Sequence, residues 1–420
     1  MDPLIIPPQV QHMADAIAKA GGRALGVGGI VRDHLLGRPC KDLDIEVLGL
    51  ELDHLEKVLS AFGHVSRVGK SFGVLRVQGL DVDFSLPRTD EKTGPGHRGF
   101  RVHCDPHMPY PDAARRRDLT INSMAIDLKT GELLDPHGGR QDLAAHILRA
   151  TDPLQFPDDP LRGLRVMQFA ARFNMQPDAE LIRLCAELDL SELPSERMWG
   201  EFEKLFLKGR VPSVGLAFLW QSEQVRFFPA LACVACDAAF RGCDRIAQSL
   251  PDDAPIRRAL MLAHLFAAEH THQPPPGTSC RPPPQAGEVY QRESLLLDFL
   301  AQLKPSIEVR KQAQVLLAEI NAQTASDADM RRLARRLHRG HVCIRDWAHV
   351  APVDVTKRAR VLGLLDAPMD DVVLGRHLMA RGMKPGPALG AMLDRCRDVQ
   401  DETGLDDVDS ILEKVQSGLF

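Results

Sequence analysis

Apolar residues recur at helical spacing from Gln9 to Ala20 and then give way to a short run, Ala24 to Val27, that reads as a buried strand. Gly28-Gly29 marks a tight turn, and Ile30 to Leu36 forms a helix that Gly37 ends. Polarity then alternates. Leu43, Ile45 and Val47 point into a core, while Asp42, Asp44 and Glu46 share the opposite strand face. Leu50 to Phe62 reads as a helix, followed by two strands, Gly73 to Val77 and Val82 to Leu86, around a Gln78-Gly79 turn; Asp81 and Asp83 share a face of the second. Pro87 to Pro111 keeps no period and is expected to be a long, irregular, functional loop, before Ser123 to Leu128 returns to strand. Leu133 to Gly139, with Asp142 and Leu143, is a turn into a helix.

Beyond this point strands cease. A long helix opens at Asp158-Asp159-Pro160 and runs to about Phe173, with Asp159 as its cap, Pro160 in its first turn and an i,i+3 ion pair between Asp159 and Arg162. Another begins at Ser195, expected as its cap, and from about Gly209 the pattern is all-helical, interrupted by a Pro-rich insert from Gln273 to Gln285.

At 420 residues the chain is too long for one core, and two to four domains are expected. Lys and Arg number 52 against 57 Asp and Glu, a net charge of -5, which excludes global attraction to nucleic acid; any RNA binding would have to come from local basic patches. The opening MDPLIIPPQVQ has no basic region and only a short apolar run, which does not suit a signal peptide; no segment is long enough to span a membrane. The nine cysteines then read as reduced thiols, and the expected compartment is the cytoplasm. Cys233 and Cys236 have zinc-site spacing and Cys243 stands nearby, but a structural site needs four ligands and no second pair follows, so ordinary thiols are favoured.

A strand, a glycine turn and a helix in that order make a phosphate site, because backbone N–H groups and the helix N-terminus converge there. Asp42 and Asp44 lie about 6 to 7 Å apart at their Cα atoms, close enough to converge on one divalent cation. The string GGIVRDHLLGRPCKDLDIEV, from Gly28 to Val47, resembles the active-site signature of the nucleotidyltransferases, and in particular of class II tRNA nucleotidyltransferases (CCA-adding enzymes) and bacterial poly(A) polymerases. Arg115-Arg116-Arg117-Asp118-Leu119-Thr120-Ile121-Asn122 resembles the family's Arg-Arg-Asp-x-x-x-Asn element, and Asp158-Asp159-Pro160-Leu161-Arg162-Gly163-Leu164-Arg165 resembles its nucleobase-reading motif, with Asp158 where members commonly carry Glu.

The resemblance implies an α+β fold: a nucleotidyltransferase head with a mixed sheet over residues 1–148, a helical neck over 149–208, a body over 209–330 and a tail over 331–420. It implies that Asp42 and Asp44 hold two Mg²⁺ with help from Asp83, that Gly28, Gly29, Arg32 and Arg117 seat the triphosphate, and that Asp118 and Asn122 face the ribose. Asp159 and Arg162 would imitate a complementary base, with Arg165 a further nucleotide contact. A carboxylate accepts and a guanidinium donates, which suits the amino donor and ring-nitrogen acceptor of cytosine and adenine but not the reversed pattern of uracil and guanine. Ser195 to Leu205, with Arg197, resembles the last neck motif, a brace for the nucleotide helix, and Arg88, Asp90 and Lys92 are candidates in the flexible loop.

Many relatives carry a phosphohydrolase domain in the body, recognised by adjacent His-Asp; this chain contains no such dipeptide, its nearest candidate running Ala263-His264-Leu265, which argues against that activity. In the tail, Arg332, Arg335, Arg336 and Arg339 recur on one helical face and read as a phosphate-contacting patch, as does Lys384 before the helix from Ala388 to Val399. The expected activity is addition of CCA to the 3' end of tRNA from CTP and ATP. The alternatives are a poly(A) polymerase or a CC-only or A-only enzyme, which share every motif, and an RNA-binding protein that has lost catalysis.

Overall fold

The structure, a computed structural model, describes residues 4–39, 43–68, 73–92, 100–234, 236–267, 292–351 and 354–418. Asp42 and the Pro-rich insert from Gln273 to Gln285 lie outside them. The chain forms two compact units, residues 1–205 with 214–227 in the first and 206–213 with most of 228–420 in the second.

The first unit opens with α1 (Pro8–Lys19), β1 (Arg23–Val27), α2 (Gly29–Leu35), β2 (Leu43–Leu48) and α3 (Leu52–Leu59), close to the elements that periodicity predicts. β3 (Val65–Val68), β4 (Val74–Val77) and β5 (Val82–Ser85) follow; the first has no counterpart in the sequence reading. The expected irregular loop contains a hairpin, β6 (Arg88–Lys92) against β7 (Phe100–Cys104), with Arg88 opposite Cys104, and a short helix α4 (Tyr110–Ala114). That ribbon forms a separate two-stranded sheet; β6 is polar throughout, while β7 alternates Phe100, Val102 and Cys104 with Arg101 and His103. Asp90 and Lys92 sit in β6. β8 (Ala125–Asp127), β9 (Leu133–Leu134) and α5 (Gly139–Ala145) complete the head, the Asp135 carboxylate capping α5 through the N–H groups of Gly139 at 2.7 Å and Arg140 at 2.9 Å.

Seven strands pair in the order β3-β4-β5-β2-β1-β8-β9. Only β2 and β5 run parallel, and their register sets Asp44 opposite Asp83 and Glu46 opposite Ser85. Alternation divides the sheet into two faces. Leu43, Ile45 and Val47 are buried on one, as the pattern requires, and α1 buries Val10, Met13, Ala14 and Ile17. On the other, Leu25 (the β1 partner of Glu46) packs with Val27, Tyr110, Ala114 and Ala125, so α4 covers the inner half of the face that carries the acids.

The neck continues the same unit through β10 (Ile147–Leu148), α6 (Leu161–Phe173), β11 (Gln176–Pro177), α7 (Ala179–Glu187) and α8 (Ser195–Lys208), with β10 and β11 pairing in parallel. Ser195 is the first residue of α8 rather than its cap; the Pro194 carbonyl accepts from the N–H groups of Arg197 at 3.0 Å and Met198 at 3.1 Å.

The second unit is helical throughout its described residues. Phe266 and Phe299, 5.4 Å apart at their ring centroids, lie in one of its cores, and Val373, Leu378, Cys396, Val399, Ile411, Leu412 and Val415 form another.

Candidate active site

The glycine turn is required at Gly28 for two reasons. Its φ of +73° is a left-handed conformation that side-chain-bearing residues resist, and a Cβ there would stand 2.9 Å from Arg117 Nη1. Its N–H donates to the Met124 carbonyl at 3.2 Å, which ties the turn to the end of β8's approach and leaves anion contact to neighbouring groups such as Gly29.

Arg32 stands differently from the expectation that it seats the triphosphate. It is 4% exposed, donates from Nε to Asp33 at 2.9 Å and from Nη1 to the Asn122 side-chain oxygen, and stacks on Phe173 and Phe169 with its guanidinium carbon 4.5 and 5.3 Å from the ring centroids. Burial lowers its pKa from the usual arginine value, with Asp33 working the other way. Arg32 is thus a strut joining α2, Asn122 and α6. Phe169 and Phe173, a stacked pair one helical turn apart at 5.9 Å, were legible only as core positions of a helix.

Asp44 is exposed and Asp83 half-exposed, facing each other as Cα partners on adjacent strands. Strands in a ladder lie about 4.8 Å apart, so both carboxylates leave the same face within reach of one cation. Asp83 is gripped by Arg76 through two bonds of 2.7 and 2.9 Å, a cation that the sequence reading did not assign. Hard carboxylate oxygens on one face fit a magnesium site. Among the described residues no cluster of three metal-ligating side chains forms; Asp42 lies outside them.

Behind Asp44 on the same face is Glu46, wholly buried, with Oε2 3.3 Å from Arg116 Nη2 and 3.6 Å from Arg117 Nη2. Arg117 also donates to the Asn122 carbonyl at 3.4 Å. Desolvation works against its charge, and the nearby carboxylates of Glu46, Asp44 and Asp118 more than restore it, so its pKa is raised.

Asp118 is buried and accepts three bonds: on Oδ1 from the Leu119 N–H at 2.8 Å and Asn122 Nδ2 at 3.0 Å, and on Oδ2 from Arg165 Nε at 2.6 Å. Burial alone would raise its carboxyl, but Arg165 and the Asn122 and Leu119 donors hold it at about 2. With Asn122 donating to Asp118 and accepting from Arg32, the pair is largely an internal brace; about one acceptor position on Asp118 remains for a sugar hydroxyl.

In the neck, the expected ion pair between Asp159 and Arg162 does not form. Pro160, not Asp159, holds the N-cap position of α6; Asp159, one residue earlier, accepts from the Leu161 N–H at 3.2 Å, and its other oxygen takes Arg197 Nη2 of α8 at 3.0 Å. Arg162 instead donates to the carbonyls of Gln155 at 2.7 Å and Arg116 at 2.6 Å. Proximity along a helix was outbid by acceptors fixed elsewhere in the unit: two backbone carbonyls offer Arg162 well-placed partners, and α8 delivers a cation to Asp159. Arg197 thereby links α8 to the segment just before α6. Arg162 and Arg165 together fasten α6 to the Arg116–Asp118 segment, which brings the neck motif to the strand face carrying Asp44.

The tail arginines do not stand out as a phosphate patch. Arg332 pairs with Glu402, Arg335 with Asp371 and with Asp401 at 2.8 Å, and Arg336 with Glu319 at 2.7 Å. Asp401 is 4% exposed, so its burial calls for a cation and Arg335 supplies it. Arg339 and Lys384 are exposed, and Lys384 precedes a helix over Pro387–Thr403.

Residues 25–149 match the Poly A polymerase head domain. The Multifunctional CCA protein of Nitrosococcus oceani is 40% identical over 219 residues, 51% of this chain and 48% of that protein. The protein of the same name from Neisseria meningitidis is 41% identical over 182 residues, 42% of each. The chain thus spans about half the length of the curated relatives it matches. A crystal structure of the Bacillus stearothermophilus CCA-adding enzyme in complex with CTP aligns with a TM-score of 0.70 at 20% identity, covering 99% of both chains. The Thermotoga maritima CCA-adding enzyme complexed with tRNA aligns at 0.65 and 20% identity, over 99% of this chain and 97% of that one. Residues 25–149 are thus similar to a poly A polymerase head domain, and over nearly its whole length the chain has the fold of the CCA-adding enzymes.

Proposed function

We propose that the chain adds C, C and A to the 3' end of tRNA, taking CTP and ATP as substrates. The observation that carries this is the joint at Asp118: one carboxylate links the element beside the acidic strand face to α6, so that a triphosphate on the head would set its base before the neck. The names of the relatives and of the aligned structures, which include complexes with CTP, ATP and tRNA, support the same substrates.

In this reading Asp44 and Asp83, with Asp42, hold Mg²⁺. When bound there, the ions supply Lewis acidity for attack of the RNA 3'-OH on the α-phosphorus and for departure of pyrophosphate. Arg117 takes the triphosphate beside the glycine turn. Asp118 offers its remaining acceptor position to the ribose. Arg162 keeps three of its five donors after its two carbonyl bonds, and Asp159 stands one turn before it, so the two can present an acceptor and a donor to cytosine or adenine. Arg165 closes the neck against the head. Arg339 and Lys384 are offered as contacts to RNA phosphates.

A second reading, a poly(A) polymerase, is favoured by the head-domain match itself. Incubation with tRNA transcripts ending before CCA, with each nucleotide alone and then both, separates the cases: addition of C, C and then A is expected, whereas a long A tail identifies the polymerase and addition of C or A alone a partial enzyme. Asp44→Ala should cut addition by about 10³-fold or more with tRNA affinity kept within a few fold. Undiminished addition by that variant would remove the metal assignment.

A further inference from the structure

Glu46 is an acid with no exposed side-chain surface, placed two residues beyond Asp44 so that both side chains leave the same sheet face. A carboxylate shut off from water requires cations and hydrogen bonds. Glu46 receives them unevenly. Both neighbouring guanidinium groups approach the same oxygen, Arg116 Nη2 at 3.3 Å and Arg117 Nη2 at 3.6 Å from Oε2. Among the described residues, Oε1 of Glu46 and Nε of Arg117 have no hydrogen-bond partner. A pair built for stability would be bidentate, with both oxygens engaged at about 2.8 Å. This arrangement leaves Arg117 anchored from behind but with donors unspent. Its Nη1 lies 2.9 Å from where a Gly28 Cβ would stand, beside the glycine turn.

We propose that Glu46 is a positioning residue for the triphosphate. It holds the adjacent guanidinium groups of Arg116 and Arg117 side by side, which their mutual repulsion would otherwise splay, and keeps Arg117 directed at the glycine turn with capacity left for phosphate oxygens. The assignment rests on the reading of Arg117 as a triphosphate contact. The sheet supports it mechanically: Glu46 is paired on both sides, with Leu25 in β1 and Ser85 in β5, so its backbone has no freedom to follow a wandering arginine. The Arg116 backbone is held independently, its carbonyl receiving Arg162 at 2.6 Å, while its guanidinium shares Glu46 Oε2 with that of Arg117.

The test is equilibrium titration of the full chain with magnesium-CTP, magnesium-ATP and a tRNA lacking CCA, for wild type, Glu46→Gln, Arg117→Gln and the double variant. Glu46→Gln keeps the volume and removes the charge; it should weaken both nucleotides about tenfold while tRNA affinity stays within about twofold. Because Glu46 acts through Arg117, the double variant should bind nucleotide no more weakly than Arg117→Gln alone. Wild-type nucleotide binding by Glu46→Gln, or losses that multiply in the double variant, would overturn the proposal. If Glu46→Gln melts too early to be read, Glu46→Asp, charged but one methylene short, carries the same expectation and the same refutation. Extension of tRNA is scored separately: a chain that binds both nucleotides yet extends nothing defeats the catalytic reading, while the variant comparison still decides Glu46. A wild type that binds neither nucleotide overturns the triphosphate site and the role of Glu46 with it.

Discussion

Arg165 Nε lies 2.6 Å from Asp118 Oδ2, a contact between residues 47 positions apart that fastens the neck helix to the head. Arg165 is one-third exposed, whereas Asp118 is buried, so the cation answers the acid's need more than the reverse. Removing it leaves a buried carboxylate with only neutral donors. Arg165→Ala should destabilise the first unit by about 2 to 3 kcal/mol, somewhat less than breaking a fully buried pair costs, because one partner is solvated. Denaturant midpoints measure this, and a loss under about 0.5 kcal/mol would show the joint to be ornamental.

The same carboxylate makes stability depend on pH. Its folded pKa of about 2 lies below the ordinary 3.8, so the folded state binds its proton less readily than the unfolded chain. The contribution is therefore complete above about pH 5 and is lost as pH falls toward about 2. The stability gap between wild type and Asp118→Asn should be constant above about pH 5 and shrink across that window. A gap that widened on acidification would contradict the sign.

Arg197 is expected to act on base choice through Asp159, whose Oδ2 it holds at 3.0 Å. Arg197→Ala frees that carboxylate to turn, so incorporation of U or G relative to C should rise about tenfold, with a smaller fall in overall rate. Competition between nucleotides on one tRNA end reads the ratio. Unchanged discrimination with lowered rate alone would make Arg197 a stabilising brace and nothing more.

The two kinds of tail cation should separate. Arg335→Ala strands Asp401, 4% exposed, and should destabilise the second unit by about 3 kcal/mol while leaving tRNA affinity of the folded chain within about twofold. Lys384→Ala should leave stability within about 0.5 kcal/mol and lower the salt dependence of tRNA binding by about one ion. Thermal melts and binding at two or more salt concentrations distinguish them; the reverse pattern would restore the arginine face as the RNA contact.

What the sequence alone determined was whatever repeats within a few residues. The alternation in Leu43 to Val47 put Asp44 and Glu46 on one face, the glycine pair ended β1 and began α2, and the motif from Asp158 to Arg165 announced a helix; those elements stand where the pattern put them. The hairpin of β6 and β7 was illegible because β6, Arg88 to Lys92, is polar at every position and carries no period, and β3 is a four-residue strand whose register is supplied by β4. Only the tertiary structure decided which charge meets which. Asp159 takes Arg197 from 38 positions away rather than Arg162 from three, Arg162 takes a carbonyl 46 positions back, and Arg332, Arg335 and Arg336 are spent on acids up to 70 positions off. The physical reason is that an ion pair depends on distance in space and on burial, neither of which follows from spacing along the chain: Glu46 has the same strand parity as Asp44, yet α4 covers one and leaves the other open.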